Sequence, residues 1–169
     1  MKLNIVLVEP EIPQNTGNIA RTCAVINADL HLVKPLGFDI SEKAVRRAGL
    51  DYWDKVNVYT YESLEEFKEY VKDKNAQVFL LTTKGKKVYS RAEFKDGDFL
   101  VFGPETRGLP EKYILENFER ALRVPMGKNL RSLNLSNTVA LVAYEALRQN
   151  DFDGLEEESM YFTKKGEIK

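Results

Sequence analysis

The chain has one cysteine and one histidine in 169 residues. A single cysteine excludes an internal disulfide, and one cysteine with one histidine cannot assemble the usual zinc sites. The same scarcity argues against a Ser-His-Asp or Cys-His catalytic centre. No apolar run approaches the ~20 residues of a membrane span, and no signal-peptide pattern is present. Met1-Lys2 leads straight into a strand-like segment, and a soluble cytoplasmic protein without a membrane partner is the expectation. Charge of one sign is also missing: 25 Lys and Arg against 26 Asp and Glu leave a net charge of −1. That balance neither demands nor excludes nucleic acid, so the placement of charge matters more than its sum. Acids cluster at Glu62–Glu69 and Glu156–Glu158, and cations at Arg46–Arg47, Lys84–Arg91 and Lys128–Arg131. No G-x-G-x-x-G follows the first apolar run, which leaves a conventional dinucleotide fold unsupported. Linkers, internal repeats and low-complexity blocks are absent as well. The length suits one domain with a substantial core, spanning residues 1–150 and followed by a polar tail, 151–169.

What is present alternates. Leu3–Val8 (L-N-I-V-L-V) is a short apolar run with β-branched residues and reads as a buried strand. Two prolines in E-P-E-I-P-Q impose an extended loop, and Asn15-Thr16-Gly17-Asn18 opens a helix with Ile19, Cys23 and Ile26 on its core face. Leu30–Lys34 is a second strand; His31, between Leu30 and Leu32, points away from their face and has no catalytic part. A basic helix runs from Ser41 to about Ala48, where Gly49 ends it. Val56–Tyr59 is a third strand. Ser63-Leu64-Glu65-Glu66 resembles a capping box and starts an acidic amphipathic helix to about Lys74. Gln77–Thr82, Phe99–Phe102 and the shorter Ala121–Pro125 are strands, with a helix Glu111–Phe118 begun by Pro110. The segment Val124–Arg148 changes character halfway. Its first half is rich in Gly, Ser and Asn; its second is a helix apolar nearly all round, which requires burial on more than one side, by its own core and by a second subunit. The pattern is α/β: a single domain, a mostly parallel sheet, helices on both faces.

Ligands in such sheets lie at the carboxyl ends of strands. Three late loops qualify, after Thr82, after Phe102 and after Val124. In G-P-E-T-R-G-L-P, Gly103 and Gly108 permit a sharp turn or a close approach of backbone to ligand, although a tight surface loop has the same composition. Arg21 sits in a helix whose start is polar, where it can hold a phosphate or a ribose oxygen or remain a solvated cation. Cys23 belongs to the core. Thr83-Lys84-Gly85-Lys86-Lys87 lacks P-loop spacing and reads either as a basic turn touching a nucleic-acid backbone or as a solvated charge run.

N-T-G-N-I-A-R-T-C, F-G-P-E-T-R-G-L-P and V-P-M-x-x-x-x-R-S-L-N-L-S-N-T-V-A resemble the three signature motifs of the SPOUT class of RNA 2′-O-methyltransferases. E-P-E-I-P-Q-N-T-G-N, V-R-R-A-G-L-D-Y and L-T-T-K-G resemble one branch, the small single-domain enzymes that methylate the ribose of the tRNA wobble nucleotide, cytidine or uridine 34. The resemblance runs from about Leu3 to Asn150 with every motif in order. It implies a C-terminal trefoil knot, which periodicity does not reveal and which general folding rules disfavour. It also implies a homodimer, S-adenosyl-L-methionine as methyl donor with S-adenosyl-L-homocysteine as product, no metal, and the tRNA anticodon stem-loop as partner. Carried over by motif, Leu81, Gly103, Val124, Ser132 and Leu133 are cofactor-binding. Arg21 is the arginine acting on the ribose hydroxyl, with Asn15, Glu105, Asn134 and Ser136 around the reaction centre. RNA would be gripped by Arg46, Arg47, Lys84, Lys86, Lys87, Lys128 and Arg131. A bulky residue at Gly103 should block the cofactor, and one at Gly85 should matter less.

Overall fold

The computed structural model describes residues 1–41, 52–159 and 161. Seven strands form one sheet in the order β3-β2-β1-β6-β4-β7-β5, with every pairing parallel. They are β1 (Asn4–Val8), β2 (Asp29–Val33), β3 (Val58–Tyr61), β4 (Val78–Leu81), β5 (Lys87–Val88), β6 (Phe99–Phe102) and β7 (Ala121–Arg123). Among the described residues the α-helices are α1 (Pro13–Val25), α2 (Leu64–Lys72), α3 (Glu111–Glu116) and α4 (Leu135–Gln149).

Strand residues alternate between two cores, as the pleat requires. Leu3, Ile5 and Leu7, with Leu100 and Phe102, join Ile19 and Cys23 of α1 and Val139, Val142 and Ala143 of α4 on one face. Val6, Val8, Phe99 and Val101 join Phe67 of α2 and Tyr113 and Ile114 of α3 on the other. Helices therefore cover both faces, and this explains why the central strands are apolar throughout rather than alternating. Each fully buried Leu, Ile or Phe contributes roughly 1.5–3 kcal/mol, so the two layers together dominate stability. Burial pushes the Cys23 thiol up to about 12, in keeping with a core residue.

Some boundaries differ from the sequence reading. The extended loop ends at Ile12, not Gln14, because Pro13 lies in the first turn of α1, where a missing N–H costs nothing. Asn15, Thr16 and Gly17 are thus buried helical residues instead of a cap. Strand β3 begins two residues later than expected, since V-N-V-Y-T-Y fits either register and the pairing with β2 decides it. β5 was not foreseen. The basic helix expected after Ser41 lies outside the described residues. Past Asn150 the chain first turns back on the body, with Phe152 and Leu155 against the core and Asp153 bonded to the Met1 ammonium at 2.7 Å.

β7 is later in sequence than β4 and β5 yet lies between them, and β6 lies between β1 and β4. Late strands inserted inside an earlier sheet are the order that fits a trefoil knot. Among the described residues, no helix is long and apolar enough to cross a membrane.

Candidate functional site

Because β4, β6 and β7 are parallel and close together, the loops leaving their carboxyl ends are neighbours. They enclose a cavity of about 520 Å³, closed on one side by Asn15 of α1 and by Ile12 just before it. Leu81, Gly103, Val124, Ser132 and Leu133 all line it. Leu81, Leu109, Val124 and Met126 give it an apolar wall, and Thr82, Ser132, Asn134 and Thr138 give it polar edges. An apolar slot of this size with a few convergent polar groups suits a cofactor with a flat ring and a polar tail.

The loop after β6 is shaped by its own backbone. A Cβ on Gly103 would stand 2.3 Å from the Leu109 nitrogen and 2.5 Å from the Gly108 carbonyl carbon. The Gly108 N–H donates to the Pro104 carbonyl at 2.9 Å, and Gly108 has φ +71, which favours glycine. Gly103 is therefore needed for the fold of the loop itself. Gly85 is also constrained, its Cβ position lying 2.7 Å from the Ala121 carbonyl oxygen, less closely than the 2.3 Å met at Gly103.

Glu105 joins that loop to α1. Its carboxylate accepts the N–H groups of Glu11 at 2.9 Å and Ile12 at 3.2 Å, and the Asn15 amide at 3.0 Å. Ile12 occupies the cap position of α1 and has no side chain able to cap it. Glu105, from another loop, accepts the N–H of that cap residue instead, with its charge at the positive end of the helix dipole. Asn15 Oδ1 in turn accepts from Asn134 Nδ2 at 3.1 Å. Asn134 Oδ1 accepts from Ser136 Oγ at 2.7 Å and caps α4 through the Asn137 N–H at 3.3 Å. Glu105, Asn15, Asn134 and Ser136 thus form one hydrogen-bonded line through all three motifs.

A second set of contacts closes the rim. Glu11 accepts from the Thr106 N–H at 3.0 Å and hydroxyl at 2.8 Å, Arg107 pairs with Glu9, and Arg131 donates to the Thr106 carbonyl at 3.0 Å. Sequence reasoning missed Glu9 and Glu11. The only signal was two acids at the end of the first strand.

Arg21 is placed elsewhere. It is exposed, is not among the cavity residues, and lies six residues beyond Asn15, about 9 Å along the helix. Of the cations, Lys84 lines the cavity and reaches Glu111 at 2.5 Å, holding that carboxyl below its ordinary range. Arg131 also lines it. Lys86 lies over the Phe118 ring at 5.7 Å, while Lys87 and Lys128 are exposed. Arg46 and Arg47 lie outside the described residues.

The model of the SpoU rRNA Methylase family matches residues 2–144. A tRNA (cytidine(34)-2′-O)-methyltransferase from Methylovorus glucosotrophus is 51% identical over 153 residues, 89% of this chain and 97% of that protein. A solved structure described as giving insight into 2-OH methylation of C/U34 on tRNA superposes with a TM-score of 0.82. It is 46% identical, over 89% of this chain and 97% of that one. The SpoU methyltransferase AviRb from Streptomyces viridochromogenes, solved with AdoMet, shares the fold. Its TM-score is 0.77 at 21% identity, over 88% of this chain and 57% of that one.

Proposed function

The chain belongs to the SpoU rRNA methylase family, and on that footing we propose that it is a tRNA (cytidine(34)-2′-O)-methyltransferase acting on the wobble ribose in the cytoplasm. The observation that carries this reading is the meeting of the three motif loops around one cavity, lined by all five residues assigned to S-adenosyl-L-methionine. When bound, that cofactor supplies a methyl group on a positively charged sulfur, open to attack by a ribose 2′-oxygen.

The residues divide the work. Backbone groups at Leu81, Gly103 and Val124 hold the adenosine part, Leu81 and Val124 flank the ring, and Ser132 and Leu133 close the polar end. Glu105, Asn15, Asn134 and Ser136 are hydrogen-bonded in a line to one another. Their part is to fix the three loops relative to α1. Arg21 orients the ribose hydroxyl and stabilises the negative charge that develops on it. A guanidinium keeps its proton near neutral pH, so the hydroxyl proton passes to a phosphate, a neighbouring hydroxyl or water.

Arg21 stands outside its own cavity, and a homodimer resolves this. Leu141 and Tyr144 on α4 are 39% and 43% exposed, and Val25 on the adjoining α1 is 55% exposed. A second copy seated on this α1–α4 face would cover them and bring Arg21 toward the partner's site.

Mass spectrometry of nucleosides from a deletion strain tests the assignment. The 2′-O-methyl group on nucleotide 34 of particular tRNAs should disappear and return with the gene. A methyl group lost only from ribosomal RNA, or from another tRNA position, would overturn the wobble assignment and leave family membership intact.

A further inference from the structure

The motif V-R-R-A-G-L-D-Y ends at Tyr52, a residue with no part in the chemistry set out so far. The Arg21 guanidinium lies 5.0 Å from the centroid of the Tyr52 ring. Among the described residues this is its one recorded side-chain partner, with no hydrogen bond or ion pair. The Lys55 ammonium is 5.4 Å from the same centroid, so a single ring carries two cations.

The ring stands on an anchored segment. Tyr52 precedes a 3-10 turn, Trp53–Lys55, and its carbonyl accepts the Lys55 N–H at 3.0 Å. Trp53 and Val56, which follow it, pack against the core. An arginine side chain alone samples many rotamers. Seated on an aromatic face, its planar head is restricted to one orientation, and its N–H donors stay free at the edge for an outside acceptor.

We infer that Tyr52 is a positioning residue, whose ring holds the Arg21 guanidinium flat and presents its donor edge to the ribose and phosphate of bound RNA, with Lys55 adding positive charge at the same place. This rests on the proposed role of Arg21 in methyl transfer. The ring face does the work and the phenol hydroxyl does not, which sets the choice of variants.

Wild type, Tyr52→Leu, Tyr52→Phe and Tyr52→Trp are assayed for methyl transfer to tRNA from the deletion strain, with cofactor affinity by calorimetry and melting by circular dichroism. Tyr52→Leu should lower kcat about ten-fold, the scale of a partly desolvated cation–π contact. KM for tRNA, cofactor affinity and Tm should stay within two-fold or two degrees of wild type. Tyr52→Phe and Tyr52→Trp should keep the wild-type kcat. Full kcat in Tyr52→Leu, or an equal loss in Tyr52→Phe, overturns the inference. If Tyr52→Leu fails to fold, Tyr52→Met takes its place with the same expected loss, because it too removes the ring face. If wild type transfers no methyl to tRNA, the functional reading fails. The contact is then judged by the Arg21 Nε–H NMR resonance, expected upfield in wild type and Tyr52→Phe; its absence there sinks the inference as well.

Discussion

At the scale of single residues, the cavity depends on atoms that are missing. Gly103 is where strand β6 turns under the backbone of Gly108 and Leu109, and a methyl group there meets main chain that cannot rotate away. Gly103→Ala should destabilise the protein by roughly 1–3 kcal/mol, as overpacking against backbone does, and abolish S-adenosyl-L-methionine binding in calorimetry. Arg21→Ala should show the opposite signature: cofactor affinity within a few-fold of wild type and methyl transfer lost. Near-normal turnover would reduce Arg21 to a surface cation. Thr16 gives a third test. It is fully buried in α1, and its hydroxyl has no hydrogen-bond partner among the described residues. Replacing an unpaired buried hydroxyl by an isosteric methyl is neutral or favourable, so Thr16→Val should melt at the wild-type temperature or slightly above. A clear drop would mean that the hydroxyl has a partner in solution.

At the scale of elements, β1, β2 and β3 are tied by side chains as well as by backbone. Asn4 donates its amide to the Gly97 carbonyl at 2.7 Å, which turns Oδ1 toward His31 Nε2 at 3.0 Å. Nε2 therefore carries the proton, and Nδ1 accepts from the Tyr61 hydroxyl at 2.9 Å. Burial lowers the pKa of this ring to about 4 from 6.5, against a smaller opposing pull from Asp29. The unfolded chain binds a proton at His31 below pH about 6.5 and the native state does not. Stability is therefore full above that pH and falls as pH drops toward 4, by on the order of 3 kcal/mol from this residue. Urea unfolding at pH 7 and pH 4.5 should show that loss in wild type, and His31→Phe, though weaker at pH 7, should lose less between the two. Equal losses would contradict the linkage. The sequence made much of this level legible. Runs such as Leu3–Val8 and Phe99–Phe102 are apolar on both faces, which marks interior parallel strands. Ser63 as a cap was visible too, and its hydroxyl accepts the Glu66 N–H at 3.2 Å. What stayed hidden depends on distant partners. β5 is two residues long and exists only by pairing with β7, and Glu105 caps a helix 90 residues away, which no local pattern encodes.

At the scale of the whole molecule, the order in which strands are inserted has no local signature. Periodicity gives an open α/β sheet, and only the resemblance points to a knot. The α4 surface is different, because its excess of apolar residues is written in the sequence. Leu141→Asp or Tyr144→Asp should convert a homodimer into monomer or aggregate, and a monodisperse wild-type monomer in light scattering would contradict the proposed interface. Grip on RNA is the remaining whole-molecule property. A net charge of −1 supplies little long-range attraction, so binding must come from local cations near the cavity mouth. These cations are not equivalent. Lys84 and Glu111 already offset each other, whereas Lys86 and Lys87 are exposed and form no ion pair among the described residues. Neutralising several phosphates releases counterions, with log affinity falling by about 0.7 per phosphate for each log unit of salt on a single strand. The KM for tRNA should therefore rise steeply between 50 and 200 mM salt, conditions chosen from that rule, while cofactor affinity stays flat. Lys86→Glu with Lys87→Glu should raise that KM about ten-fold and flatten its salt dependence by about the contribution of two contacts. An unchanged slope would show that the RNA path lies elsewhere, over Lys128 and Arg131.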